Sequence, residues 1–472
     1  MLKITPFLRP PLDTDFLPAA LWNRAYRALV AADPGARDLI IALERPDGGV
    51  SRHQSRVLGP RHPDSALSLR YAERLLKFLL WQKGGCIVRV AGAPEIAAYL
   101  ASVYSPTGAR SFDHEFMGEK VYRRPFSIEA AEAADLPEET QIGLPMGRHL
   151  DGCRIGFDIG GSDRKAAAVI DGRVVFSEET PWDPYFQKDP SYHIEGINES
   201  LTRAAAHLPR VDAIGGSAAG IYVNNEVRVA SIFRGIPPAV FETHIRRLFL
   251  TLQKRWGGVP FDVANDGEVA ALAGSMSLGD NAVLGLSMGT SQAGGYVRPG
   301  GDITPWLNEL AFAPVDYRED APCDEWSGDA GCGVQYLSQQ AVSRLADRAG
   351  FGFRPDMPAP ERLVAVQEAM EKGDRRAELV YDSMGSYLGY SIGHYSDFYN
   401  LKHVLVMGRV TSGTGGERIL LRAREVLAAE FAAVASRTRV RMPDEKDKRH
   451  GQAIAAASLP SIRETAGSHT SR

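Results

Sequence analysis

The stretch RIGFDIGGSDRKAAAVIDGRVV, Arg154 to Val175, constrains the chain more than any other: an apolar run, two glycines, a hydroxyl and an acid, then a second apolar run. Two strands must reverse direction within a few residues, and paired glycines supply positive φ there without steric cost. Such a turn closes an ordinary β-hairpin. A Gly-Gly-Ser turn also presents backbone N–H groups and a hydroxyl, with no side chain in the way of a phosphate. The rest of the chain has to choose between these readings.

A chain of 472 residues is too long for one small core, and the size prior suggests about three domains, or two with insertions. With 44% hydrophobic and 24% charged residues it can bury a sizeable interior. A net charge of −4 without a basic stripe argues against a nucleic-acid partner. The opening MLKITPFLRPPLDTDF lacks the regions of a signal peptide, and no apolar segment is long enough to span a bilayer, so a cytoplasmic protein is expected. Cys86, Cys153, Cys323 and Cys332 are too few and too scattered for a disulfide framework, which makes reduced thiols the default.

Residues 1–135 read as mixed α/β. PAALWNRAYRALVAAD, SALSLRYAERLLKFLLWQ and APEIAAYLASVY have helical spacing, and DLIIALER and CIVRVAG read as strands. Residues 136–152 mix acids, prolines and glycines without a stable period and are expected to form a linker to a region at 153–472. That region continues as strand (RVVFSEETPW), helix (EGINESLTRAAAHL), strand (VDAIGGSAAGIYV) and one long helix (AVFETHIRRLFLTLQKRW). A second strand–turn–strand unit, NAVLGLSMGTSQAGGYVRPGG, suggests a duplicated architecture.

Four features then follow in one order: DIGGS at Asp158–Ser162, the pair Asn265-Asp266 before a helix, GTSQAGG at Gly289–Gly295, and VLVMGRVTSGTGG from Val404. Alone, the Asn-Asp pair would simply cap the helix that follows. Together the four resemble the ROK family of bacterial sugar kinases and sugar-responsive repressors, over about residues 154–460. The resemblance implies an α/β, actin-like ATPase fold of two ribonuclease H-like lobes around a cleft, with an additional N-terminal α/β domain.

It also implies an ATP-dependent sugar kinase using Mg²⁺. Asp158 would hold the metal, through water, as suits a cation that keeps its hydration shell. Gly160, Gly161 and Ser162 would form one phosphate turn, and Gly289 and Thr290, followed by Gly294 and Gly295, a second one interrupted by Ser291, Gln292 and Ala293. Lys165 stands where the family often has lysine, and it reads equally as a solvated strand residue. Gly408 would lie against adenosine, with Arg409 where a second glycine is usual. By the same resemblance Asp266 is the general base toward the sugar hydroxyl, and Asn265 and Glu309 contact the sugar.

The chain departs from the family's pattern between Asn308 and Ser338. Phe312 replaces a zinc-binding histidine, Glu325 and Ser327 stand at two of the cysteine positions, and Val334 replaces a sugar-binding glutamate. Cys332 is kept and Cys323 lies off register, so zinc is not expected. Asp316, Asp320, Asp324, Glu325 and Asp329 are either a replacement set of hydroxyl acceptors or a solvated loop. The alternative to a kinase is a non-catalytic sugar-binding regulator or interaction protein on the same fold. A small sugar is the expected partner, nucleic acid and membrane are not, and a homodimer is left open.

Overall fold

The computed structural model describes residues 2–140, 146–443 and 451–462. The chain packs into two compact units, one of residues 1–143, 286–294 and 306–442, the other of residues 144–285, 295–305 and 443–472. Among the described residues no helix is long and apolar enough to cross a membrane.

The first unit opens with strands β1 (Arg37–Glu44), β2 (Val50–Val57), β3 (Ile87–Ala91) and β4 (Ser127–Ala130), arranged β2-β1-β3-β4. The expected helices are present as Ala19–Ala32, Ala66–Lys83 and Pro94–Val103. The 66–83 helix buries Leu75, Leu76, Phe78, Leu79, Leu80 and Trp81, which is why its long apolar run is legible. Strand β2, VSRHQSRV, was not expected, because its polar residues carry no apolar alternation to read.

Residues 1–135 form their own sheet, yet they share this unit with the helices Arg375–Tyr395 and Thr414–Glu430. Buried charges fasten them there. Asp13 is held by Arg318 at 3.2 Å, Arg348 at 2.7 Å and the Tyr387 hydroxyl at 2.6 Å. Arg24 reaches Glu430 at 3.1 Å. Lys77, fully buried, donates to both oxygens of Asp113 at 3.0 Å and to Asp329, which Arg110 also grips. Of the expected linker, Thr140 bridges to Val50, and residues 141–145 lie outside the described residues.

The second unit is built on β5 (Cys153–Ile159), β6 (Asp163–Ile170), β7 (Arg173–Pro181), β8 (Ala213–Ala218), a small pair β9 (Ile221–Val223) and β10 (Glu226–Val229), and β11 (Phe261–Asn265). Its main sheet runs β11-β8-β5-β6-β7, with β11, β8 and β5 parallel and β6 and β7 antiparallel to their neighbours. Every residue of β5 is buried, as a central strand covered on both faces requires. On one face the helix Gly451–Ala457 comes so close that a Cβ at Gly156 would lie 1.8 Å from the Ala453 carbonyl oxygen.

Two expected elements come out broken. VDAIGGSAAGIYV divides into β8 and β9 at Ala219 and Gly220. The single long helix expected over AVFETHIRRLFLTLQKRW is a short turn, a π-helical stretch at Phe241–Ile245 and a helix at Leu248–Arg255. The Arg246 N–H bonds back to Phe241, five residues away, so one extra residue is accommodated and the apolar face is rotated. A further sheet is ordered β13-β12-β14-β15, from β12 (Val283–Met288), β13 (Gln292–Val297), β14 (His403–Met407) and β15 (Arg439–Arg441).

Candidate active site

The second unit holds seven of the expected site residues, Asp158, Gly160, Gly161, Ser162, Lys165, Asn265 and Asp266. Asp158 stands near the end of β5, in register with Ser217 on β8 and Lys165 on β6. Its Oδ1 accepts from the Ser217 hydroxyl at 2.6 Å and the Gln452 amide at 3.2 Å, while Oδ2 makes no hydrogen bond among the described residues. Burial pushes this carboxyl up to about 6; Ser217 and Lys165 oppose the shift and Asp266 adds to it. Gln452 was not anticipated, because it lies 294 residues from Asp158 in sequence.

Gly160 and Gly161 turn the chain from β5 into β6, with the Gly160 N–H bonded to the Asp163 carbonyl at 3.0 Å. The two glycines do different work. A Cβ at Gly160 would meet only one atom, at 3.5 Å, whereas one at Gly161 would fall 1.9 Å from the Tyr185 hydroxyl. Gly160 is thus open to a ligand and Gly161 makes room for a tyrosine. The Ser162 hydroxyl donates to Asp163 at 2.9 Å, and Lys165 pairs with the same carboxylate at 3.2 Å, so both are oriented by one acid.

Asn265 ends β11 and Asp266 begins the helix Asp266–Leu278. The Asn265 carbonyl oxygen caps that helix by accepting from the Gly267 N–H at 2.8 Å, and its amide donates to the Gly220 carbonyl at 2.8 Å. Asp266 also accepts from Gly267, through Oδ1 at 3.0 Å. Burial raises its carboxyl, only partly offset by that backbone bond, although the residue remains partly exposed. A recessed, reachable carboxylate with a raised pKa is a stronger base than a fully solvated one.

The first unit holds the other expected residues. Gly289 and Thr290 form the turn between β12 and β13, where a Cβ on Gly289 would meet nothing nearer than 3.7 Å and Thr290 is exposed. Gly294 packs on the Asn308 carbonyl, so it serves close approach. Gly408 follows β14 at φ 100°, and any Cβ would press 2.5 Å from the Met288 carbonyl oxygen. Glu309 is half-buried, its N–H bonded to the Trp81 carbonyl at 2.9 Å.

The divergent loop is mostly turned inward. Phe312 packs at a tilt against Trp81, with centroids 4.3 Å apart, and edge-on against Trp326 at 5.4 Å. Asp316 bonds Arg318 and Tyr336, Asp324 accepts from Ser327, and Asp329 answers Lys77 and Arg110, leaving only Asp320 and Glu325 exposed. Both expectations for this acidic group therefore need correction, since three of the five acids hold the fold. Cys332 is buried beside Lys77, and burial pushes its thiol up to about 12, whereas Cys323 is exposed. Among the described residues no group of three or more His, Cys, Asp or Glu side chains is arranged to hold a metal.

The shift at Asp158 has a consequence for stability. An acid whose folded value, about 6, exceeds its ordinary 3.8 makes the folded state bind the extra proton, so this group's contribution to stability is most favourable below about pH 4 and falls as pH rises to about 6. Asp158→Asn is expected to stabilise the protein by on the order of 3 kcal/mol at pH 7 and by little near pH 4. Thermal melts at the two pH values check this, and equal shifts at both would contradict it.

A five-stranded sheet of this order, with an acid at the end of its first strand and a glycine turn beside it, is a ribonuclease H-like lobe of the actin-like ATPase kind. Among solved structures the chain is similar to the ROK hexokinase from Thermus thermophilus, with a TM-score of 0.52 and 21% identity over 65% of this chain and 97% of that one. It is also similar to a ROK family glucokinase from Streptomyces griseus solved with glucose and AMPPNP (TM-score 0.48, 21% identity, 66% and 99% covered). A third is a ROK family transcriptional regulator, homologous to the E. coli MLC protein (0.49, 18%, 66% and 78%). No protein-family model matches the chain, and no curated protein matches its sequence. The chain has the actin-like ATPase fold of the ROK hexokinases.

Proposed function

We propose that the chain is a ROK family sugar kinase, transferring the γ-phosphoryl group of ATP to a sugar hydroxyl in the cytoplasm. The observation that carries this reading is Asp266: partly exposed, raised by burial, and close enough to Asp158 for the two carboxylates to feel each other. A helix cap alone needs neither property, and Asn265 already supplies the cap.

Asp266 takes the proton of the attacking hydroxyl as its oxygen bonds to phosphorus and the bond to the β-phosphate bridging oxygen breaks. Asn265 holds Gly220 and the start of the 266–278 helix, which fixes where Asp266 points. In the second unit the turn at Gly160, Gly161 and Ser162 is read as facing phosphate, with Lys165 adding a positive charge, and in the first unit the turn at Gly289 and Thr290 is read likewise, with Gly408 toward the adenosine. Glu309 accepts from a sugar hydroxyl.

The donor set fits Mg²⁺. Asp158 has one oxygen bonded and one without a partner, and its charge is costly where it stands, which suits a hydrated cation held by a single carboxylate. Bound there, Mg²⁺ would neutralise charge on the phosphates.

The inward-turned acids of the divergent loop favour a second reading, a sugar-binding regulator without turnover, because they remove acceptors that the first reading would use. Measuring ATP consumption against a panel of hexoses, N-acetylhexosamines and sugar acids separates the two. Turnover with any sugar upholds the kinase; saturable sugar binding without turnover upholds the regulator.

A further inference from the structure

Two segments of the second unit, the loop after β7 and the turn after β10, meet beside the Gly160–Ser162 turn. Asp163 pairs with Pro181, Ile159 with Ala218, and Ala218 with Asn265, so the loop that starts at Trp182 leaves the sheet where β5, β8 and β11 finish. It is tied to the turn. The Trp182 backbone N–H donates to the Ser162 carbonyl at 3.0 Å, and its indole N–H donates to the Gly160 carbonyl at 2.8 Å. Tyr185 follows, with its hydroxyl in the space that a side chain at Gly161 would need. Tyr185 is half-buried, and its hydroxyl makes no hydrogen bond among the described residues.

The turn after β10 lays a cation on this tyrosine. His193, fully buried, donates from Nε2 to the Pro184 and Ile232 carbonyls, each at 3.1 Å, and so joins the residue before Tyr185 to one two before Arg234. Both partners only accept, which fixes the proton on Nε2. A Cβ at Gly235 would lie 2.7 Å from the Gln187 carbonyl oxygen, so the two segments touch along their backbones. The guanidinium carbon of Arg234 stands 4.2 Å from the centre of the Tyr185 ring and 5.0 Å from that of Phe186. Rings take the face of a guanidinium and leave its in-plane N–H groups for a bidentate acceptor. On β6, Arg164 answers Glu199 at 2.7 Å and Lys165 answers Asp163 at 3.2 Å. Arg234 is exposed, and beyond those two rings its side chain has no carboxylate partner and no hydrogen bond among the described residues.

We propose that Arg234 and Tyr185 bind the terminal phosphate of the phosphoryl donor beside the Gly160–Ser162 turn. Arg234 offers paired N–H donors that match two phosphate oxygens, and the Tyr185 hydroxyl offers one more. The rings hold the guanidinium in place before the ligand arrives, which lowers the ordering cost of binding. Neither residue lies in the four features that carry the family resemblance. The assignment rests on reading the turn as facing phosphate; it does not need Asp266 to act as a base.

Calorimetry of the full chain with inorganic tripolyphosphate, in the absence of metal and sugar, tests the pair. The parent is expected to bind saturably. Arg234→Gln should weaken binding about tenfold or more, and Tyr185→Phe, which keeps the ring under Arg234, about threefold. Arg234 is exposed, so its variant should melt with the parent. Arg210→Gln removes an equal charge just before β8 and should leave the affinity unchanged. No saturable binding by the parent, parental affinity in Arg234→Gln, or an equal loss in Arg210→Gln overturns the site; parental affinity in Tyr185→Phe overturns the part of the hydroxyl. Where the chain phosphorylates a sugar, an unchanged KM for ATP in Arg234→Gln overturns the site and leaves the kinase standing. Tripolyphosphate bound through Arg234 by a chain that turns over no sugar upholds the site and overturns the kinase.

Discussion

Asp266→Asn is expected to lower sugar phosphorylation by about 10² to 10⁴ while ATP binding changes little. Asparagine keeps the size and the oxygen that accepts from Gly267, and Asn265 remains the cap of the helix, so the fold should melt within a degree or two of the parent. On the proposed reading, what is lost is the group that takes the hydroxyl proton. The residues proposed for the phosphates, Gly160, Ser162, Gly289 and Thr290, are untouched. Steady-state rates with the best sugar of the panel, beside calorimetric nucleotide binding, give the comparison. A variant with parental turnover would reduce Asp266 to a second cap.

The largest effect on stability is expected from Lys77→Met. Lys77 sits in a buried set of three cations and three carboxylates: Lys77, Arg74 and Arg110 against Glu73, Asp113 and Asp329. Burial pulls its pKa down, yet Asp113 and its other neighbours hold it well above the usual lysine range. Removing that one charge leaves two carboxylates facing each other in the interior, a loss of about 3–5 kcal/mol. Urea unfolding measures it, and limited proteolysis should show residues 1–135 becoming cleavable where the parent resists. A loss under about 1 kcal/mol would mean that water replaces the ammonium.

The middle of the second unit's main sheet was legible because β5 and β8 are apolar enough to be buried throughout and the turn after β5 is marked by glycine. The place of Asp266 at the start of a helix could be read because the Asn-Asp pair and the helix lie next to one another in the chain, whereas the strand Phe261–Asn265 before them was not expected. The docking of residues 1–135 onto the later helices could not be read. Lys77 finds Asp329 across 252 residues and Asp13 finds Tyr387 across 374, and no local pattern records such a pair. The inward turn of the divergent loop was hidden likewise, since an aspartate that will bond Lys77 looks in sequence like one that will face water. Strand β2 escaped because all but its two valines are polar, so no apolar alternation marks it.

Asp13 has a temporal meaning as well. Its partners Arg318, Arg344, Arg348 and Tyr387 leave the ribosome long after it does, so the first stretch of chain emerges with a carboxylate whose cations have not yet been made. Contacts of such sequence separation are the slow ones to form. The amino-terminal sheet would then wait, assembled but undocked, until translation has passed Tyr387, and completion of the first unit becomes a late step before which a chaperone has its longest opportunity to bind.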